Sequence, residues 1–167
     1  IYINGRYCDK AEAAVAVFDH GLLYGDGIFE GLRIYGGKVF RLDAHLKRLY
    51  RSAKAILLTI PMSPAQLGEA VLETVRKNRK KDGYIRLIVT RGEGALGIDP
   101  SSCGTPTVII IVGDIQLYPK ELYEKGIEII TASSRRIPAD CFDVRIKSLN
   151  YLNNILAKIE AVRAGCL

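Results

Sequence analysis

In "IKSLNYLNNILAKIEA", residues 146–161, a lysine stands at the entrance of an amphipathic stretch. Lys147 is flanked by Ile146 and Leu149. After it, Leu152, Ile155, Leu156, Ile159 and Val162 recur at three- and four-residue steps, with a stop signal at Gly165. The plain reading is a solvated lysine ahead of a helix. The chemical reading is a nucleophile: a lysine that forms a Schiff base attacks as the neutral amine, so its surroundings must disfavour the ammonium. Apolar neighbours do this, and so does the partial positive charge at a helix N-terminus. The other residue types that could do chemistry are spread out. Cys8, Cys103, Cys141 and Cys166 form no C-x-x-C pair, and only His20 and His45 could join them. That spacing predicts reduced cytoplasmic thiols, with neither a metal site nor a disulfide framework.

The elements that must position Lys147 are readable from pattern. "YINGRY" predicts a hairpin turning at Asn-Gly, and "LRIYGGKVFRL" (32–42) a second turning at Gly36-Gly37. "DAHLKRLYRSAKAI" sets Leu46, Leu49, Tyr50, Ala53 and Ile56 on one helical face. "SPAQLGEAVLETVRKNRKKDG" opens with Ser63 as cap, Pro64 in the first turn and Gln66 placed to reach back, and its expected buried stripe is Leu67, Val71, Leu72 and Val75. Strands follow at 84–90 and 105–115, and a further strand is expected in "IEIITASS" (127–134). The expected architecture is α+β: a small two-layer domain over 1–115, a connector at 116–125, and over 126–167 the start of a larger β-rich, pseudo-barrel domain that reads as truncated.

Composition narrows the function classes. The 167 residues are 49% hydrophobic and 25% charged, enough for one good-sized core. "TVIIIVG", at seven residues, is too short to span a bilayer, and no basic-then-apolar leader is visible, so neither membrane insertion nor secretion is expected. The net charge of +6 owes its densest run to "RKNRKKDG" (76–83), where cations offset the negative end of a helix. A small phosphorylated ligand suits the excess charge, and nucleic acid is not expected as a partner.

Three segments in order carry a resemblance. "YGDGIFEGLRIYGGKVFRLDAHLKRLYRSA" (24–53), "YIRLIVTRGEGALGIDP" (84–100) and "IKSLNYLNNILAKIEA" together resemble the class IV, fold-type IV pyridoxal-phosphate aminotransferases across essentially the whole chain. Within that class the chain looks most like the branched-chain amino acid aminotransferases. D-amino acid aminotransferase and aminodeoxychorismate lyase are the near alternatives. The resemblance implies that Lys147 holds pyridoxal 5'-phosphate through its ε-nitrogen and moves the substrate Cα proton. It implies that Arg48, in "HLKRL", grips the cofactor phosphate, for which a planar, permanently charged fork is suited, and that Tyr151 meets the phenolic oxygen. Tyr24, Phe29 and Gly31 match positions shaping the side-chain pocket, where an aromatic wall and a roomy glycine suit an aliphatic group. Tyr84 and Arg86 match the branched-chain "Y-I-R" motif, and Arg91, in "VTRG", matches an arginine that D-specific relatives turn to the substrate carboxylate.

The implied reaction passes an amino group from a branched-chain L-amino acid to 2-oxoglutarate. The implied partners are small amino acids and 2-oxo acids, and the implied assembly is a homodimer or larger homo-oligomer. The family's acidic partner to the pyridine nitrogen and its later phosphate loops lie beyond the lysine helix. The 167-residue chain alone is therefore expected to be inactive, and an inactive truncated scaffold is the reading from a different class.

Overall fold

The computed structural model describes residues 1–115 and 118–166, in two compact units. The first is Ile1–Asp114 together with Arg145–Leu149, and the second is Ile115–Val144 with Asn150–Leu167. Gln116 and Leu117, in the expected connector, lie outside the described residues.

The first unit is an antiparallel sheet covered by two helices. β1 (Tyr2–Ile3) and β2 (Arg6–Tyr7) are joined through Asn4 and Gly5, both at positive φ, as a tight hairpin demands. A short helix, α1 (His20–Tyr24), precedes β3 (Gly27–Tyr35), which turns through Gly36 and Gly37 into β4 (Lys38–Val39). Then come α2 (Leu42–Ala55) and α3 (Pro64–Asn78), β5 (Gly83–Thr90) and β6 (Val108–Gly113). The strand order is β2-β1-β6-β5-β3-β4, with every adjacent pair antiparallel.

Alternation decides which face is covered. Ile28, Leu32 and Ile34 of β3, Ile85, Leu87 and Val89 of β5, and Val108, Ile110 and Val112 of β6 belong to one core. Leu46, Leu49 and Ala53 of α2 and Leu67, Val71 and Val75 of α3 complete it. Each such Leu, Ile or Val contributes about 1.5–3 kcal/mol by leaving water. The capping box forms as read: Ser63 Oγ accepts from Gln66 N at 3.2 Å, and Gln66 Oε1 accepts from Ser63 N at 2.8 Å. Leu72 departs from expectation and is only partly buried. It lies five residues from Leu67, well round the helix, and the inward position goes to Thr74, whose hydroxyl donates to the Ala70 carbonyl at 2.6 Å.

In the second unit, α4 (Lys120–Lys125) and α5 (Leu152–Arg163) form, and α5 stops at Gly165 as expected. There Cys166 N donates to Ala161 O and Gly165 N to Val162 O, with Gly165 at φ +76°. Residues 127–134 do not form the expected strand. A strand exists only by pairing, and among the described residues none pairs with this segment. Its serines turn instead to α5: Ser133 and Ser134 N–H groups donate to the Glu160 carboxylate at 2.6 and 3.1 Å. The apolar row of α5 is exposed, from 42% at Ile159 to 66% at Leu152. Among the described residues no helix is long and apolar enough to cross a membrane.

Candidate active site

β3 builds the site because its successive residues serve different faces. Phe29 and Gly31 point to the open face of the sheet, while Glu30 points inward in a row with Ile28, Leu32 and Ile34. Glu30 is fully buried and is met by two donors from α2, spaced three residues apart on one helical face. Arg48 donates through Nε to Glu30 Oε1 and through Nη2 to Oε2, both at 2.6 Å, and His45 Nδ1 donates to Oε2 at 2.8 Å. Burial alone would push the Glu30 carboxyl up, but the hydrogen bonds and charges of Arg48 and His45 outweigh it and hold it below the usual carboxylate range.

A strap from later in the chain, Arg145–Leu149, runs antiparallel to the free edge of β3. Phe29 N donates to Lys147 O at 2.9 Å, Leu149 N donates to Gly27 O at 3.0 Å, and Ser148 is bridged to Ile28. A side chain at Gly27 would be crowded from both sides, its Cβ lying 2.8 Å from the Val89 carbonyl oxygen of β5 and 2.7 Å from Leu149 Cδ1 of the strap. Ser52, one turn after Arg48 on α2 and 2% exposed, accepts from Lys147 N at 3.3 Å. Lys147 and Arg48 are therefore tied to the same two elements, β3 and α2.

On the open face the Lys147 ammonium lies 4.3 Å from the Phe29 ring centroid, and the Arg86 guanidinium lies 4.4 Å from the same ring. Arg86 also lies 5.6 Å from the Tyr84 ring. Gly31 faces Arg86 across the β3–β5 ladder, and the Tyr84 hydroxyl occupies the space that a Cβ at Gly31 would need. Gly31 and Tyr84, both expected at the side-chain pocket, thus pack directly against each other. Phe29, Gly31, Tyr84, Arg86 and Lys147 form one neighbourhood in the first unit, and Arg48 is joined to them through the β3–α2 frame.

Three further expected residues stand on other elements. Tyr24 ends α1 and accepts from Gly97 N at 2.7 Å, its ring edge-on to His20 at 4.9 Å. Arg91, one residue past β5, is engaged at all three nitrogens. Nε and Nη2 meet Asp26 at 2.7 and 3.0 Å, while Nη1 and Nη2 donate to the Leu57 and Ile56 carbonyls at 3.0 and 2.8 Å. A guanidinium committed in this way braces the end of β5 against the loop after α2. Tyr151 caps α5 in the second unit.

Sequence reasoning missed Glu30, Ser52, Asp26 and Asp19. Asp19 is fully buried, accepting from Gly21 N at 2.7 Å and from the Thr90 and Thr107 hydroxyls at 2.7 and 2.9 Å. A signal existed for Glu30: a carboxylate at an inward position of an alternating strand must find a cation, and "H-L-K-R" offers two donors at helical spacing.

The family model described as amino-transferase class IV matches residues 27–166, and the chain belongs to that family. Its fold is that of the fold-type IV aminotransferases. It is 53% identical to a putative branched-chain-amino-acid aminotransferase of Methanocaldococcus jannaschii over 99% of this chain and 56% of that protein. It is 38% identical to a D-alanine aminotransferase of Bacillus licheniformis, again over 99% of this chain and 56% of that protein. Among solved structures, the branched-chain amino acid aminotransferase of Escherichia coli superposes with a TM-score of 0.93 at 32% identity, covering 98% of this chain and 56% of that one. The chain spans about 56% of the length of these relatives.

Proposed function

We propose that the whole protein transfers the amino group of branched-chain L-amino acids to 2-oxoglutarate, with pyridoxal 5'-phosphate as cofactor. The observation that carries this reading is the strap, which brings a lysine amine and an arginine fork onto one β3–α2 frame. The donor set fits the cofactor's chemistry: a primary amine for its carbonyl carbon, a guanidinium for its phosphate, and an aromatic ring beside the amine. When bound, the cofactor supplies the electron sink that lets a Cα–H bond break.

The chain's own residues do the rest. Lys147 holds the cofactor through Nζ and carries the proton released at the substrate Cα. Arg48 receives the phosphate, and Tyr151 the phenolic oxygen. Phe29, Gly31 and Tyr84 line the side-chain pocket with Tyr24, and Arg86 meets a substrate carboxylate. Arg91 serves this site as a brace, through Asp26, and on the D-amino acid reading it is the arginine that meets the substrate carboxylate. The partners on this reading are small amino acids and 2-oxo acids, and the working form is a cytoplasmic homodimer or larger homo-oligomer. Residues 1–115 act as the small domain, 116–125 as the connector and 126–167 as the start of the cofactor domain. The 53% identity to the branched-chain relative supports the aliphatic substrate. The 38% identity to a D-alanine aminotransferase keeps D-amino acids as a second reading.

Incubating the full-length protein with 2-oxoglutarate and either L-leucine or D-alanine, and measuring glutamate formed, tests both. Glutamate from leucine is the expected result. Glutamate from D-alanine alone selects the second reading, and none from either overturns both.

A further inference from the structure

We propose that Glu30 is a positioning residue that aims Arg48 at the cofactor phosphate, an inference that rests on the phosphate role proposed for Arg48. Packing does not account for a glutamate at this place. The inward row of β3 is Ile28, Glu30, Leu32 and Ile34, none more than 1% exposed, so a leucine at position 30 would fill the space without the penalty of burying a charge. What a leucine could not do is orient a guanidinium. Two parallel hydrogen bonds of 2.6 Å, from Nε and Nη2 to the two carboxylate oxygens, set the plane of the Arg48 group as well as its position.

The carboxylate is itself held from turning. His45 donates to Oε2 at 2.8 Å, so Glu30 presents one fixed edge to Arg48. The Arg48 side chain is 42% exposed whereas that of Glu30 is fully buried. The same side chain is thus anchored through Nε and Nη2 inside the unit while part of it is exposed. A fork fixed in this way meets a phosphate without losing further rotamer freedom on binding, which is the advantage of a site set before its ligand arrives. Because Ser52, one turn along α2, holds the Lys147 backbone, an Arg48 so fixed also keeps its spacing from the lysine.

The test compares two ligands that differ only in the phosphate. The full-length protein is titrated with pyridoxal 5'-phosphate and with pyridoxal, following the cofactor's absorbance, and the ratio of the two affinities is taken. Glu30→Gln should lower that ratio roughly tenfold with pyridoxal affinity unchanged. The same substitution made in an Arg48→Ala background should change the ratio no further. Glu30→Asp keeps the charge but withdraws it by one methylene, so it should lower the ratio by less, and it serves where Glu30→Gln does not fold. An unchanged ratio in both Glu30 variants, or an equal fall in both affinities, overturns the positioning role while leaving Arg48 intact. An unchanged ratio in Arg48→Ala overturns the phosphate reading and the inference with it.

Discussion

Phe29 and Glu30 are neighbours in sequence, and each holds cations, but they do so on opposite faces of β3 and by different physics. On the inward face a fully buried carboxylate fixes Arg48 and His45 through three short hydrogen bonds. On the open face an aromatic ring attracts Lys147 and Arg86 at 4.3 and 4.4 Å, an interaction worth about 0.5–2 kcal/mol that constrains direction loosely. The difference bears on the role proposed for Arg48. A phosphate contact works best immobile.

Breaking the open-face half should have the largest effect. In the full-length protein Lys147→Ala should lower turnover by at least roughly 10²–10⁴-fold, the range lost with a general acid–base residue. It should also abolish the pyridoxyl label that borohydride leaves on the peptide containing position 147. A label on Lys158 instead would return Lys147 to the role of a surface residue.

Breaking the inward half should be felt in stability. Arg48→Met leaves the Glu30 carboxylate buried with His45 alone and should cost about 3 kcal/mol by urea unfolding, whereas Glu30→Leu, which leaves only the partly exposed Arg48 and His45 without their acceptor, should cost clearly less. Equal losses from the two would mean that the contrast between the faces is one of packing.

The inward pair should also show in pH dependence. The folded Glu30 carboxyl lies below its ordinary value of 4.5, so its contribution is fully present above that pH and is lost as pH falls through the folded value. Thermal midpoints for the wild type and Glu30→Gln should converge as the pH is taken from 6 to 3 (on the order of the carboxylate titration range). A gap that stays constant would show that Glu30 does not titrate with folding.

The smallest effect belongs to Phe29→Leu. It keeps apolar bulk and removes the ring, so stability should fall by only about 0.5–1 kcal/mol. Lys147 should meanwhile become less restrained, read as a broader distribution of its Nζ environment by nitrogen NMR. No change in that signal would show that the ring does not hold the lysine.

Much of the frame was legible. The Asn4-Gly5 and Gly36-Gly37 turns, the Ser63–Gln66 capping box and the apolar faces of α2 and α3 each depend on residues a few positions apart, and each formed. Leu72 failed because a stripe read at steps of four and one overstates the angular width that α3 buries. The strand expected at 127–134 failed for a different reason. Strand propensity describes a surface that fits a sheet, and the sheet must be there to receive it.

The sequence by itself determined the turns, the helix caps, the α+β order of elements and the lysine worth attention, because each is a matter of local dihedral preference and of periodicity along one element. Only the tertiary structure decided who meets whom. Glu30 reaches Arg48 across 18 positions, Asp26 reaches Arg91 across 65, and Ser52 reaches Lys147 across 95. Such pairings are set by which strand edge is open and which helical face turns inward. Charge and hydrogen-bonding capacity are properties of single residues, but their satisfaction belongs to the packed whole.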